Sequence, residues 1–94
     1  MNDLRSLQST PSLAVLRRLL AQKRRVEQDI HNVTKSMLQP GTKIEYRINF
    51  RDYFGKVVDV LGMPGTTQIR VENIATLKKR DIRLHDITGI VQEN

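Results

Sequence analysis

The sequence predicts an α+β fold, a long N-terminal α-helix followed by a compact unit of five short β-strands. Three observations predict it. No Pro or Gly interrupts the chain between Pro11 and Pro40, and the apolar residues there recur in steps of three and four. After Gly41 the period changes to two. Turn residues then divide the second half into short pieces. Ninety-four residues correspond to one domain, with residues 1–9 as a mobile polar arm, 10–39 as the helix and 40–94 as the β unit. A core drawn from about fifty residues is near the lower limit for an autonomous fold, so self-association is expected from size alone.

Thr10-Pro11 reads as the helix start, with Thr as N-cap and Pro at the first helical position. Pro40 and Gly41 end it, leaving a run of about 28 residues, or roughly 42 Å. Leu16, Leu19, Val26, Ile30, Val33 and Met37 form a heptad seam, with Lys23 at its one polar position. Leu13 and Leu20 widen the stripe. Two readings follow: the helix lies across its own β unit, or it pairs with a second helix. Its length favours pairing, because a small β unit is too short to cover it. A homo-oligomer through the helix is therefore expected.

In the second half, Ile44, Tyr46 and Ile48 alternate with Lys43, Glu45 and Arg47 to give a first strand. A loop over residues 49–54 follows, then a strand from Gly55 to Leu61, the Gly62-Met63-Pro64-Gly65 turn and a third strand at Thr67–Val71. Asp81–Leu84 and Gly89–Val91 make two more, joined by a tight helical turn. The order Pro40-Gly41-x-x-Ile44-x-Tyr46, a loop, then Gly55-Lys56-Val57-Val58-x-Val60 resembles SH3-like small β-barrels of the KOW and Tudor kind. Ile82-x-Leu84-x-Asp86-Ile87-x-x-Ile90 fits the same topology. The resemblance covers about residues 40–92 and is one of fold pattern, so it implies a five-stranded, partly open SH3-like small barrel. It carries no site residue across, since such barrels serve many functions. An aromatic cage of the Tudor type needs more aromatics than Tyr46, Phe50, Tyr53 and Phe54.

The net charge is +6, which favours a polyanionic partner. Residues 1–40 carry seven Lys and Arg against three Asp and Glu, and residues 41–94 nine against seven. The excess thus belongs mainly to the helix. With Leu16 at heptad position a, Arg17, Arg18, Arg24 and Arg25 occupy b and c, away from the seam, where guanidinium groups can fork to phosphate oxygens. A second basic cluster, Lys78, Lys79, Arg80 and Arg83, is expected at a hairpin tip of the barrel. The 49–54 loop interleaves basic and aromatic side chains. Arg51 and Tyr53 are its candidates for contact, whereas Phe50 and Phe54 are expected to plug the barrel.

Catalytic patterns are missing. With no cysteine, thiolate chemistry and disulfides are excluded. His31 and His85 form no metal-spaced pair, Asp81 and Asp86 are five apart with no sign of a shared proton, and the glycines form no phosphate loop. No enzyme activity, metal, cofactor or small-molecule substrate is expected. No apolar run spans a membrane and no signal peptide opens the chain, so a cytoplasmic protein is expected. The leading functional expectation is a non-enzymatic module that binds DNA or RNA through phosphate contacts. The alternative is a protein-interaction or assembly module whose basic helix and aromatic loop meet an acidic protein surface. A phage or plasmid accessory protein, an inhibitor and a virion component all fit that alternative.

Overall fold

The computed structural model describes residues 12–91. One helix, α1 (Leu13–Met37), precedes five strands, β1 (Lys43–Ile48), β2 (Arg51–Leu61), β3 (Gln68–Asn73), β4 (Lys79–Arg83) and β5 (Ile87–Ile90). The α+β class and the element order agree with the sequence reading. The expected arm (residues 1–9) and the Thr10-Pro11 cap lie outside the described residues. The cap is Ser12, extended in its backbone, whose side-chain Oγ accepts the Val15 N–H at 3.3 Å. At the other end, Gln39–Thr42 form a turn with Pro40 second and Gly41 third, the latter at φ 94°. This is type II chemistry, in which only glycine fits the third place without strain.

All five strands belong to one antiparallel sheet in the order β4-β3-β2-β1-β5. The sequence places β4 and β5 next to each other, yet they occupy opposite edges. Only Leu84–Asp86, a single 3₁₀ turn, joins them. Such a turn covers about 8 Å between flanking residues, at about 2 Å per residue. A flat five-stranded sheet would hold its edges about 19 Å apart. The sheet therefore has to coil until its edges nearly meet. Two bulges assist by bending their strands, one at Val58 in β2 and one at Thr88 in β5.

The coil does not close. No ladder joins β4 to β5, so the sheet is open along that line, and the expected partly open SH3-like barrel is not confirmed. The cause is local. The Asp86 carboxylate accepts the Arg83 backbone N–H at 3.0 Å and turns the chain away at the end of β4.

Inside the coil, Ile44, Tyr46, Val57, Val60, Ile69, Val71 and Ile82 pack with Leu38 from the end of α1. The Tyr46 ring lies against Gly55. A Cβ there would come within 3.1 Å of the ring and 2.9 Å of the Glu72 carbonyl oxygen, so the core needs glycine at this point. Tyr53 stacks on Tyr46 at 5.6 Å between ring centroids. It is half-buried in β2 and is not the exposed loop residue the sequence pointed to.

Only the C-terminal half of α1, from Glu27 onward, approaches the β unit. His31 and Thr34 are buried, and the His31 ring lies 2.7 Å from the Thr67 hydroxyl in the β2–β3 turn. Residues 16–26 are exposed throughout, so half the helix projects. The molecule is accordingly elongated, 59 × 27 × 24 Å.

Ile69 is fully buried at the centre of the sheet. Ile69→Ala is expected to destabilise the protein by about 2–5 kcal/mol through lost transfer energy and a residual cavity. Urea denaturation followed by circular dichroism measures this, and a change below about 1 kcal/mol would contradict the assigned core.

Candidate nucleic-acid interface

Three surfaces receive the residues that the sequence singled out. The first is the projecting half of α1. Arg17, Arg18, Arg24 and Arg25 are all exposed there, joined by Lys23, and no acid occurs between Leu13 and Val26. None of the five has a carboxylate within ion-pair distance among the described residues.

The second surface is the heptad seam. Leu16, Leu19, Val26, Ile30, Val33 and Met37 are each 44–56% exposed. The helix docks on the sheet through a different meridian: Glu27 lies beside Gly65, and His31, Thr34 and Leu38 are buried. Each of these follows a seam residue by one, a rotation of about 100°. The β unit therefore leaves the seam uncovered, which answers the question the sequence posed about what the helix covers. Only Ile30 approaches the β unit, lining a groove of about 630 Å³ between helix and sheet with Thr67, Leu84 and His85.

The third surface is the open line of the sheet. Arg47, Ile48 and Asn49 face Arg80, Ile82 and Arg83 across a polar groove of about 390 Å³, with Asp81 and Asp86 also on its walls. The expected hairpin-tip cluster is thereby corrected. Only Lys78 lies in the β3–β4 turn, while Lys79, Arg80 and Arg83 are spread along β4. Their separation follows from strand geometry. Lys79 and Arg83 share one face, and Arg80 shares the other with buried Ile82. Cations on an edge strand also discourage unwanted strand pairing.

The expected 49–54 loop is not a loop. Ile48 pairs with Arg51, so Asn49 and Phe50 alone form the connection, both at positive φ (51° and 66°). This is the geometry of a two-residue type I′ hairpin. Arg51 is exposed at the first position of β2. The phenylalanines do not plug a barrel: Phe50 is 98% exposed and Phe54 half exposed.

Two cross-strand ion pairs flank these surfaces. Arg47 donates to Asp52 through Nε at 2.7 Å and Nη2 at 3.3 Å, and Arg70 to Asp81 at 2.8 and 3.2 Å. In each pair the two residues are direct partners in the ladder. Arg80 and Arg83 have no such carboxylate among the described residues. Deeper in, burial pushes the Tyr46 hydroxyl above its usual pKa, while nearby Asn73 and Arg80 oppose the shift. That hydroxyl has no hydrogen bond of good geometry among the described residues.

Among the described residues no cluster of His, Asp or Glu is arranged to hold a metal ion. No described helix is long and apolar enough to cross a membrane.

Hydrogen bonds from the arginines hold the Asp52 and Asp81 carboxyls below their ordinary value of 3.8. A carboxyl whose folded pKa is depressed stabilises the fold fully above its unfolded pKa and loses that contribution as pH falls through the folded value. Asp52→Asn with Asp81→Asn is thus expected to flatten the loss of stability below about pH 4, with a small effect because both pairs are solvent-screened. Urea midpoints measured from neutral pH down into that acid range check this. An unchanged acid limb would contradict it. No family model, curated protein or solved structure matches the chain.

Proposed function

We propose that this protein is a non-enzymatic nucleic-acid-binding module that grips phosphates with the projecting half of α1. The observation that carries this reading is the run from Leu13 to Val26, which is exposed along residues 16–26 and holds five cations and no acid. A surface helix stabilised for its own sake would intersperse acids at i+4 spacing. Here no carboxylate among the described residues pairs with the guanidinium groups, which suits an external polyanion. Arg17 and Arg24 lie two turns apart on one meridian, with Arg18 and Arg25 beside them, a stripe that can follow a phosphate backbone. Arg80 and Arg83, with Lys78 and Lys79, supply further contacts from the β unit.

A second copy of the chain covers the seam in this reading. Eight large apolar side chains, each about half exposed, leave on the order of 700 Å² of apolar surface in one stripe, more than a monomer ordinarily exposes contiguously. This approaches the roughly 800 Å² per partner of a standard interface. Lys23 sets the direction. A parallel pair would oppose Lys23 to its own copy in the seam and stack basic half on basic half. An antiparallel pair brings the basic half onto the segment that carries Glu27 and Asp29.

A protein-assembly role is the second reading, favoured by the same exposed seam and by the unpaired edge of β4. Pull-down with and without nuclease separates the two, since a protein retained after nuclease supports assembly.

Affinity for a labelled oligonucleotide is expected to fall steeply with salt. Arg17→Ala with Arg24→Ala is expected to reduce the slope of log K against log salt by about 1.8 for duplex DNA. Fluorescence anisotropy at several salt concentrations reads this. Salt-insensitive binding, or none to DNA or RNA, overturns the proposal. Val26→Glu is expected to convert a dimer to a monomer by light scattering, and an unchanged mass would remove the seam from the interface.

A further inference from the structure

Phe50 is at odds with its position twice over. Its backbone is left-handed, at φ 66°, where a bulky side chain is strained and Gly is the favoured occupant of a type I′ turn. Its ring is also 98% exposed, so no packing among the described residues offsets the strain. The stacked pair of Tyr46 and Tyr53 does not include it. A chain selected only to fold would carry Asn49-Gly here.

The surroundings indicate what such a ring can meet. Arg51 follows it directly and is exposed, and Asn49, just before it, lines the polar groove along the open sheet. Arg47, Arg80 and Arg83 line the same groove, Arg47 already paired with Asp52. A flat apolar face next to a guanidinium-lined polar cleft matches the two halves of a nucleotide, base and phosphate.

We propose that Phe50 is a base-stacking residue at the tip of the β1–β2 hairpin, with the groove beside it seating an adjoining phosphate through Arg80 and Arg83. This rests on the nucleic-acid reading above and adds to the helix a second contact point, one that recognises bases. The shared chemistry is the π-face of a nucleobase. It is offered either by a single strand, whose bases are free, or by a duplex step that the ring partly unstacks.

The test compares wild type with Phe50→Gly and Phe50→Trp on a labelled single-stranded oligonucleotide and on a duplex of equal length, by anisotropy. Phe50→Gly relieves the turn, so its Tm is expected to rise by about 4–8 °C, which excludes misfolding as the cause of lost binding. Its affinity is expected to drop by about 5- to 150-fold, the loss of one base–aromatic stack, with the salt slope unchanged. Phe50→Trp is expected to retain affinity and to show its indole fluorescence quenched on binding. Loss confined to the single strand assigns an unpaired base, and equal loss on the duplex assigns insertion at a step. Phe50→Gly binding both forms as tightly as wild type overturns this inference and leaves the helix reading intact. Wild type binding neither form overturns both. Phe50→Gly that keeps nucleic-acid affinity but loses a nuclease-resistant protein partner makes the tip a protein anchor and overturns base stacking.

Discussion

The short link between β4 and β5 is the constraint on which the β unit depends. Three residues, Leu84–Asp86, carry the chain from one edge of the sheet to the other. That distance is bridgeable only if the sheet coils, and coiling is what gathers Ile44, Val57, Ile69, Val71 and Ile82 around one interior. Gly55 lets the Tyr46 ring settle against the bent β2. The same link leaves the coil open, because Asp86 caps the turn at Arg83 before β4 can pair with β5. Core and groove are therefore two results of one connection. Arg80 and Arg83 are held along the groove by the ladder of β4 on β3 and not by salt bridges of their own.

The helix obeys a separate constraint. Its docking meridian and its apolar seam are about a quarter-turn apart, so the β unit can hold the helix without satisfying its hydrophobic stripe. The polar latch between His31 and Thr67, with Thr34 and Leu38 buried nearby, fixes the phase of that rotation. The Pro40–Gly41 turn fixes the exit of the chain into β1. Electrostatics divides along the same line. The sheet neutralises two of its own arginines with cross-strand aspartates, while the projecting half of the helix neutralises none among the described residues.

Much of this was legible in the sequence wherever periodicity is strong. The seam from Leu16 to Met37 marked the helix, and the alternation at Lys43–Ile48 and Gln68–Val71 marked two strands. The surplus of charge on the helix was a simple count. What was not legible depended on tertiary closure or on a missing local signal. Residues 51–54, Arg-Asp-Tyr-Phe, do not alternate, so the start of β2 looked like loop. Asn49-Phe50 lacks the glycine that announces a two-residue hairpin, and this concealed both the turn and the exposure of Phe50. His31 looked like one polar residue among many, because its partner lies 36 positions away. The groove at Arg47, Arg80 and Arg83 exists only because the sheet coils, and no spacing in the chain encodes it.

The projection of half a helix from a small β unit has a consequence for valency. If two such helices lie antiparallel, their sheets stand at opposite ends of a rod whose length is set by helical rise, about 37 Å for 25 residues. A rigid spacer of fixed length turns two weak grips into one strong one only for a target that presents its sites at matching separation. On the proposed nucleic-acid reading, affinity would then grow sharply once the target was long enough to reach from one sheet to the other. Short fragments would reach the helix and at most one sheet, and would exchange faster. The rod would act as a ruler, and length would be the property of the target that it measured.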